Sequence, residues 1–454
     1  MSGSVQGAAV VPELLAALGP ALGRGVAPAN RGGPRIWWAD RRLDVEGLAL
    51  GSVQALASAV NARVPGARIG LDAAGVAASF DSFSRLRVNG RAPTAFAPLS
   101  GFHEVADGWV RIHANYPHHE AALLRALGVD GARAAREALA RLTAGEIEDR
   151  VSAAGGVAAA VRSESAWAAT PGARALADEP WIRFDSVNRA MPRPRPARGG
   201  GLPLAGVRVL ALTRVIAGPA AGRILGALGA DVLRIDPPRM PELPDQFLDT
   251  GWDTRSAEAD LREGPAAGRV RELLAGADIV LLGYRPRGLA ALGLTPAELA
   301  RDYPGLAVVA LDAWGDVGPL ADRRGFDSIV QAAVGIADLY ASGAGPGALP
   351  VQALDHATGM GMAAAAVALL RDREGEGGGV AHLSLAATAH ALLRLPRPAG
   401  GEGLRDLETR ERVLSGAEGS LTYAPPALLR RGAPLEFRVG PPAYGSGTLR
   451  WLSE

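Results

Sequence analysis

The residues best placed for chemistry lie in LDHATGMGMAAAAVALL, residues 354–370. Asp355 stands where a helical pattern begins, with small residues after it. Two roles are open to it on local grounds. An aspartate at a helix start commonly accepts backbone N–H bonds as an N-cap. A carboxylate can also attack a thioester, provided that the substrate can approach and the developing oxyanion finds donors. Ala357, Gly359 and Gly361 leave room for a bulky thioester.

A second candidate is TRVIAGPAAGRILGALGADVLRIDPP, residues 213–238, where a strand ends, Gly218 and Pro219 turn, and a helix begins. Helix N-termini at the carboxyl ends of parallel strands present free amides to anionic or nucleotide ligands. A plain structural turn is the local alternative. GxGxxG and GxxxxGK[ST] are both absent, which argues against a dinucleotide enzyme or a P-loop NTPase. The run 101–121 holds four of the seven histidines, His103, His113, His118 and His119. Their spacing fits no familiar zinc pattern, so no metal is expected. Asp107-Gly108 reads instead as a hairpin turn between half-buried strands. No GxSxG elbow supports a hydrolase, and no aromatic-basic interleaving supports nucleic-acid binding.

These segments need a large soluble scaffold, which the composition supplies. The 454 residues are 48% hydrophobic and 21% charged with a formal net charge of +1, so no global field draws the chain to nucleic acid or a membrane. Without cysteine there are no disulfides, thiol nucleophiles or Cys-ligated metals, which suits a cytoplasmic enzyme. Residues 1–22 show no signal-peptide pattern. The longest apolar stretches, such as 363–370, read as too short to span a bilayer.

Residues 191–201, MPRPRPARGGG, have linker chemistry, stiff with proline and then loose with glycine. A second break at 396–403 precedes a Pro/Gly-rich tail expected to be irregular, and 374–379 is a short polar Gly run. After the linker, strands are expected at 207–212, 231–235, 279–282 and 307–311, and helices at 220–228, 266–274 and 296–301. That alternation implies an α/β fold with a parallel sheet covered on both faces. Residues 53–73 also parallel 363–386, each an Ala-rich helix, a turn, a short strand and another helix.

Together these segments resemble the class III CoA-transferases, the CaiB/BaiF family that includes formyl-CoA transferase. The likeness runs through PLAGVRVLALTRVIAGPAAGRILGALGADVLRIDPP, ADIVLLGYRPRGLAALGL, WGDVGPLADRRGFDSIVQA and the Asp355 run, in the family's order over about 202–395. It implies a Rossmann-like catalytic half at 202–395 with Asp355 as the covalent nucleophile. Val215, Ile216 and Ala217 match the loop lining the CoA site, Tyr284 and Arg285 the positions near the nucleotide, and Trp314-Gly315 the aromatic-Gly pair beside the thioester. The chain departs from the family at LGYRPR, where many members read ENFRPG, and at Asp312 to Gly315, where many read SGFG. Residues 1–190 resemble the family's second half, a small α+β domain and a return segment, placed ahead of the first. A permuted or truncated tandem follows, in which Asp44 is a possible relic of the same aspartate.

The family's mechanism passes CoA from an acyl-CoA to a carboxylic acid through an aspartyl-CoA thioester, with CoA as substrate and no permanently bound cofactor. The resemblance further implies a homodimer. α-Methylacyl-CoA racemases share the fold but resemble GHDxNY where this chain reads GFDSIVQ, and Phe326 cannot carry a proton. A non-catalytic CoA-binding paralogue is the remaining alternative.

Overall fold

The structure is a computed structural model that describes residues 12–19, 38, 42–185, 201–372, 378–397, 410–416 and 419–452. Most of the 191–201 linker, the polar run from 374 and most of the 396–403 break lie outside the described residues, as does much of 1–22.

Helix α1, Val45–Arg63, is capped by Asp44, whose Oδ1 accepts the Gly47 N–H at 2.9 Å. It is buried on nearly every side, and its Ala, Gly and Ser content lets neighbours close in. Strand β1 (Ile69–Gly70) and helix α2 (Ala73–Phe80) complete the first copy of the repeat, and β2 (Arg87–Val88) follows. A small α+β unit comes next. Strands β3 (Gly101–Val105) and β4 (Gly108–Ile112) form the hairpin expected at Asp107-Gly108, and β5 (Ala158–Ala160) pairs antiparallel with β4. Helices α3 (Pro117–Leu127), α4 (Gly131–Leu139) and α5 (Ala144–Ala153) pack with it around Val110, Ile112, Leu123, Ile147 and Val151.

The main sheet comprises β6 (Arg183–Asp185), β7 (Arg208–Leu212), β8 (Asp231–Asp236), β9 (Arg255–Glu258), β10 (Ile279–Leu282), β11 (Ala307–Asp312) and β12 (Gly379–Ser384). Its spatial order is β6-β12-β11-β10-β7-β8-β9. All neighbours are parallel except β6, which closes one edge antiparallel to β12. The residues expected to form strands do so because β-branched and aliphatic side chains fill a sheet buried on both faces. Helices α6 (Ala217–Ala227), α7 (Gly264–Gly276) and α8 (Pro296–Asp302) fall where alternation requires them. Beyond β11 come α9 (Asp327–Val334), α10 (Ala353–Asp372) and α11 (Leu385–Arg394). The order reverses between β7 and β10, and that switch point opens a crevice at the strands' carboxyl ends.

The tail differs from expectation. Strands β13 (Arg412–Gly416), β14 (Gly419–Tyr423), β15 (Leu429–Arg430) and β16 (Ala433–Pro434) form there. Strand β14 pairs with β2 and β15 with β1, while β13 and β16 extend these as local hairpin partners, so the tail's strands depend on pairing with the N-terminal part of the chain. Trp451 is buried against the main sheet's core.

The two copies of the repeat meet directly, α10 packing along α1 on one side and α6 on another. Contrary to the reading of 363–370, α10 is long and apolar enough to cross a membrane, because the helix continues through Asp355, His356 and Thr358. Its stretch Ala353–Leu370 is wholly buried, so here it serves as the core helix. Gly359 sets the α10–α6 approach: a Cβ there would lie 2.5 Å from the Ala217 carbonyl oxygen. Gly359→Ala is expected to cost about 1–3 kcal/mol in urea unfolding through overpacking. A variant as stable as its parent would count against this contact.

Candidate active site

Asp327, the first residue of α9, reaches across to the start of α10. Its Oδ2 accepts the backbone N–H of Asp355 at 3.0 Å, and the carboxylate also takes the Leu354 N–H and the Gln331 side-chain amide. Helix α10 is thus capped from outside. Asp355, third in the helix, does not serve as its N-cap, and among the described residues its carboxylate accepts no hydrogen bond. Burial, and then the charge of Asp327, push the Asp355 carboxyl well above the ordinary carboxylate range. Burial raises Asp327 too, but three hydrogen bonds and Arg111 hold it back. The pair's proton therefore belongs on Asp355.

Two cavities meet at this carboxyl. The larger, about 550 Å³, lies between α2, the loop after β7 and the start of α10. The smaller, about 250 Å³, occupies the switch point at the carboxyl ends of β7, β10 and β11. Tyr116, Val215, Phe326 and Asp355 line both and form the wall between them. The smaller cavity is cationic, carrying Arg214, Arg285, Arg323 and Arg324. Arg323 pairs with Glu148 at 2.8 Å, and Arg214 lies 3.7 Å from Glu242. Among the described residues Arg285 and Arg324 have no carboxylate partner, and burial and Arg285 lower the Arg324 pKa. Asp312, also in this cavity, is pushed up to about 7, chiefly by burial.

The dividing wall is held by Glu242, whose side chain is fully buried. It accepts the Tyr116 hydroxyl, the Leu243 N–H at 3.0 Å and the Val215 N–H at 2.9 Å, with Arg234 3.7 Å away. Val215 has φ +69°, a left-handed conformation costly for a β-branched residue. The Glu242 bond fixes it there, placing the loop before α6 against Asp355.

Of the residues singled out from sequence, Asp355, Val215, Ile216, Ala217, Tyr284 and Arg285 line one or both cavities. Trp314 and Gly315 line neither. The Asp312 carboxylate takes both of their N–H groups, folding the segment back until the Trp314 indole donates to the Arg324 carbonyl at 3.3 Å. Asp44 also lines neither cavity and serves α1 as its cap. Sequence reasoning missed Asp327, although it stands beside the Phe326 that was weighed, and Arg324, although an Arg pair precedes Gly325. Glu242 and Tyr116 had no local signal. The histidine run proved central: His113 stacks on Phe326 with ring centroids 3.7 Å apart, and His118 and His119 line the smaller cavity.

Residues 204–399 match the family model described as CoA-transferase family III. The chain is 34% identical over 183 residues to a probable fatty acyl-CoA transferase of Mycobacterium tuberculosis, covering 37% of this chain and 45% of that one. It is 28% identical over 181 residues to human succinyl-CoA:glutarate CoA-transferase, covering 37% of this chain and 41% of that one. The chain thus spans less than half the length of these curated relatives. The crystal structure of a CAIB/BAIF family protein from Brucella suis shares 26% identity at a TM-score of 0.39, over 50% of this chain and 66% of that one. Residues 204–399 are thus similar to CoA-transferase family III, and the match to the family model is confined to that part of the chain.

Proposed function

We propose that this protein transfers coenzyme A from an acyl-CoA thioester to a carboxylic acid, with Asp355 as covalent nucleophile. The observation that carries the reading is Asp355 itself, a buried carboxyl without a hydrogen-bond partner among the described residues, standing where a cationic and a larger cavity meet. In this reading CoA enters the smaller cavity, where Arg285 and Arg324 meet its phosphates through charge-assisted bonds. The acyl group enters the larger cavity, and Val215, Ile216 and Ala217 flank the thioester. A homodimer in the cytoplasm is proposed with it, on the family resemblance.

An Asp355 oxygen attacks the thioester carbonyl carbon, the C–S bond breaks, and CoA leaves as thiolate from a mixed anhydride. The thiolate attacks the aspartyl carbonyl carbon, releasing the donor carboxylate and leaving aspartyl-CoA. An acceptor carboxylate attacks that carbon and expels the thiolate again. The thiolate then attacks the acceptor's carbonyl carbon, forming the new acyl-CoA and restoring Asp355. No net proton or electron is consumed. Burial leaves the Asp355 anion poorly solvated, which sharpens it as a nucleophile once its proton is lost.

Proton exchange at the substrate α-carbon is the rival reaction, and His113 is the imidazole nearest the Phe326 position. Burial lowers its pKa to about 3, far too weak a base for an α-proton. Deuterium wash-in at that carbon is expected to be nil.

Incubation with acyl-CoA followed by hydroxylamine should leave a hydroxamate on Asp355. Asp355→Ala is expected to lose transfer by on the order of 10³-fold or more while still binding CoA. A folded, CoA-binding protein that forms no adduct would instead be a non-catalytic CoA binder. The rate of adduct formation should rise with pH through a pKa above the usual carboxylate value of about 4, because only the Asp355 anion attacks. Asp327→Asn removes the neighbouring charge that disfavours this anion. Its acid limb should move to lower pH, whereas an unmoved limb would dissociate the two carboxyls. Arg324→Ala should raise the KM for CoA thioesters about tenfold with little change in kcat, the worth of one charge-assisted bond.

A further inference from the structure

The walls of the larger cavity are chemically one-sided. Phe80, Phe83, Phe96, Phe326, Ile216 and Val351 are among its apolar lining. Five carboxyl groups also line it, those of Asp81, Asp245, Asp249, Asp327 and Asp355. Among the described lining residues Arg91 is the only guanidinium or ammonium, and Asp245 already holds it in a two-pronged pair at 2.8 and 3.0 Å. The two lining histidines add no positive charge, since burial holds His113 and His356 to about 3. Asp81 is paired with Arg85 and Asp249 with Arg223 as well, so a carboxylate carried into such a space finds no free cation among the described lining residues, an arrangement that is heavily penalised.

Resting on the CoA-transferase reading, we infer that the acyl group handled here is uncharged, an aryl or branched hydrocarbon chain rather than a dicarboxylate half-thioester. The volume of about 550 Å³ suits a group much larger than acetyl.

The discriminating measurement is the rate of hydroxylamine-trapped label on Asp355 with four donors at equal concentration. These are phenylacetyl-CoA, isovaleryl-CoA, succinyl-CoA and glutaryl-CoA, and no acceptor is needed. The two uncharged donors are expected to label at least tenfold faster. In Phe83→Lys, which places a cation on the wall, the ratio should narrow by a factor of several. Dicarboxylate donors that label the wild-type protein as fast as the uncharged ones would overturn the inference while leaving the transferase reading intact. A folded Phe83→Lys with an unchanged ratio would overturn the assignment of selectivity to this cavity. Failure of all four donors to label would overturn the transferase reading and the inference with it.

Discussion

The site depends on one interaction, the Asp327 carboxylate laid across the N-terminus of α10. A helix start has free amides to satisfy, and the nearest carboxyl ordinarily takes them. Had Asp355 done so, its charge would be solvated by its own backbone. With Asp327 in that place, the helix is capped, its positive end still faces the site, and Asp355 is left without donors. The same contact brings a second carboxyl close enough to raise the first. One residue thus caps the helix end, adds to the effect of burial on Asp355 and leaves that carboxyl without donors.

Glu242 does comparable work for the opposite wall. It joins Tyr116 from the α+β unit to Val215 from the main sheet, so the two regions of the chain build the site jointly. The left-handed Val215 is tolerable because its N–H is claimed by a buried carboxylate. Around this anchor the cavities divide by charge: arginines gather at the switch point, while aromatic rings and carboxyls line the other side. The thioester of the proposed reaction has the same division, with a polyanionic carrier at one end and its acyl group at the other. The match lies in electrostatics as well as in volume.

Much of this was legible in the sequence, and the remainder was not for identifiable reasons. The strands at 279–282 and 307–311 announced themselves because a parallel sheet buried on both faces must be continuously apolar. Asp355 was visible through the run around it. Its cap was not, since Asp327 lies in another helix and long-range capping leaves no spacing rule. Trp314 and Gly315 line neither cavity because the Asp312 carboxylate turns their backbone inward, an effect of three neighbouring residues that resemblance alone does not carry. The tail hid its strands because β14 and β15 take partners from the first quarter of the chain, and β13 and β16 pair only onto them.

The repeat sharpens the contrast between its two aspartates. In the first copy Asp44 accepts the Gly47 amide and begins α1, while β1 pairs into a small separate sheet. In the second copy Asp355 sits three residues into α10, β12 enters the main sheet, and β11 alongside leads to the cavity that Arg285 and Arg324 line. Similar helix-turn-strand-helix units therefore carry an aspartate as a structural cap in one place and as a buried carboxyl between two cavities in the other. The difference lies outside the repeat. Only the second copy has α9 to supply Asp327 and the β7 loop to close over the carboxyl, so those elements, more than the aspartate, define the site.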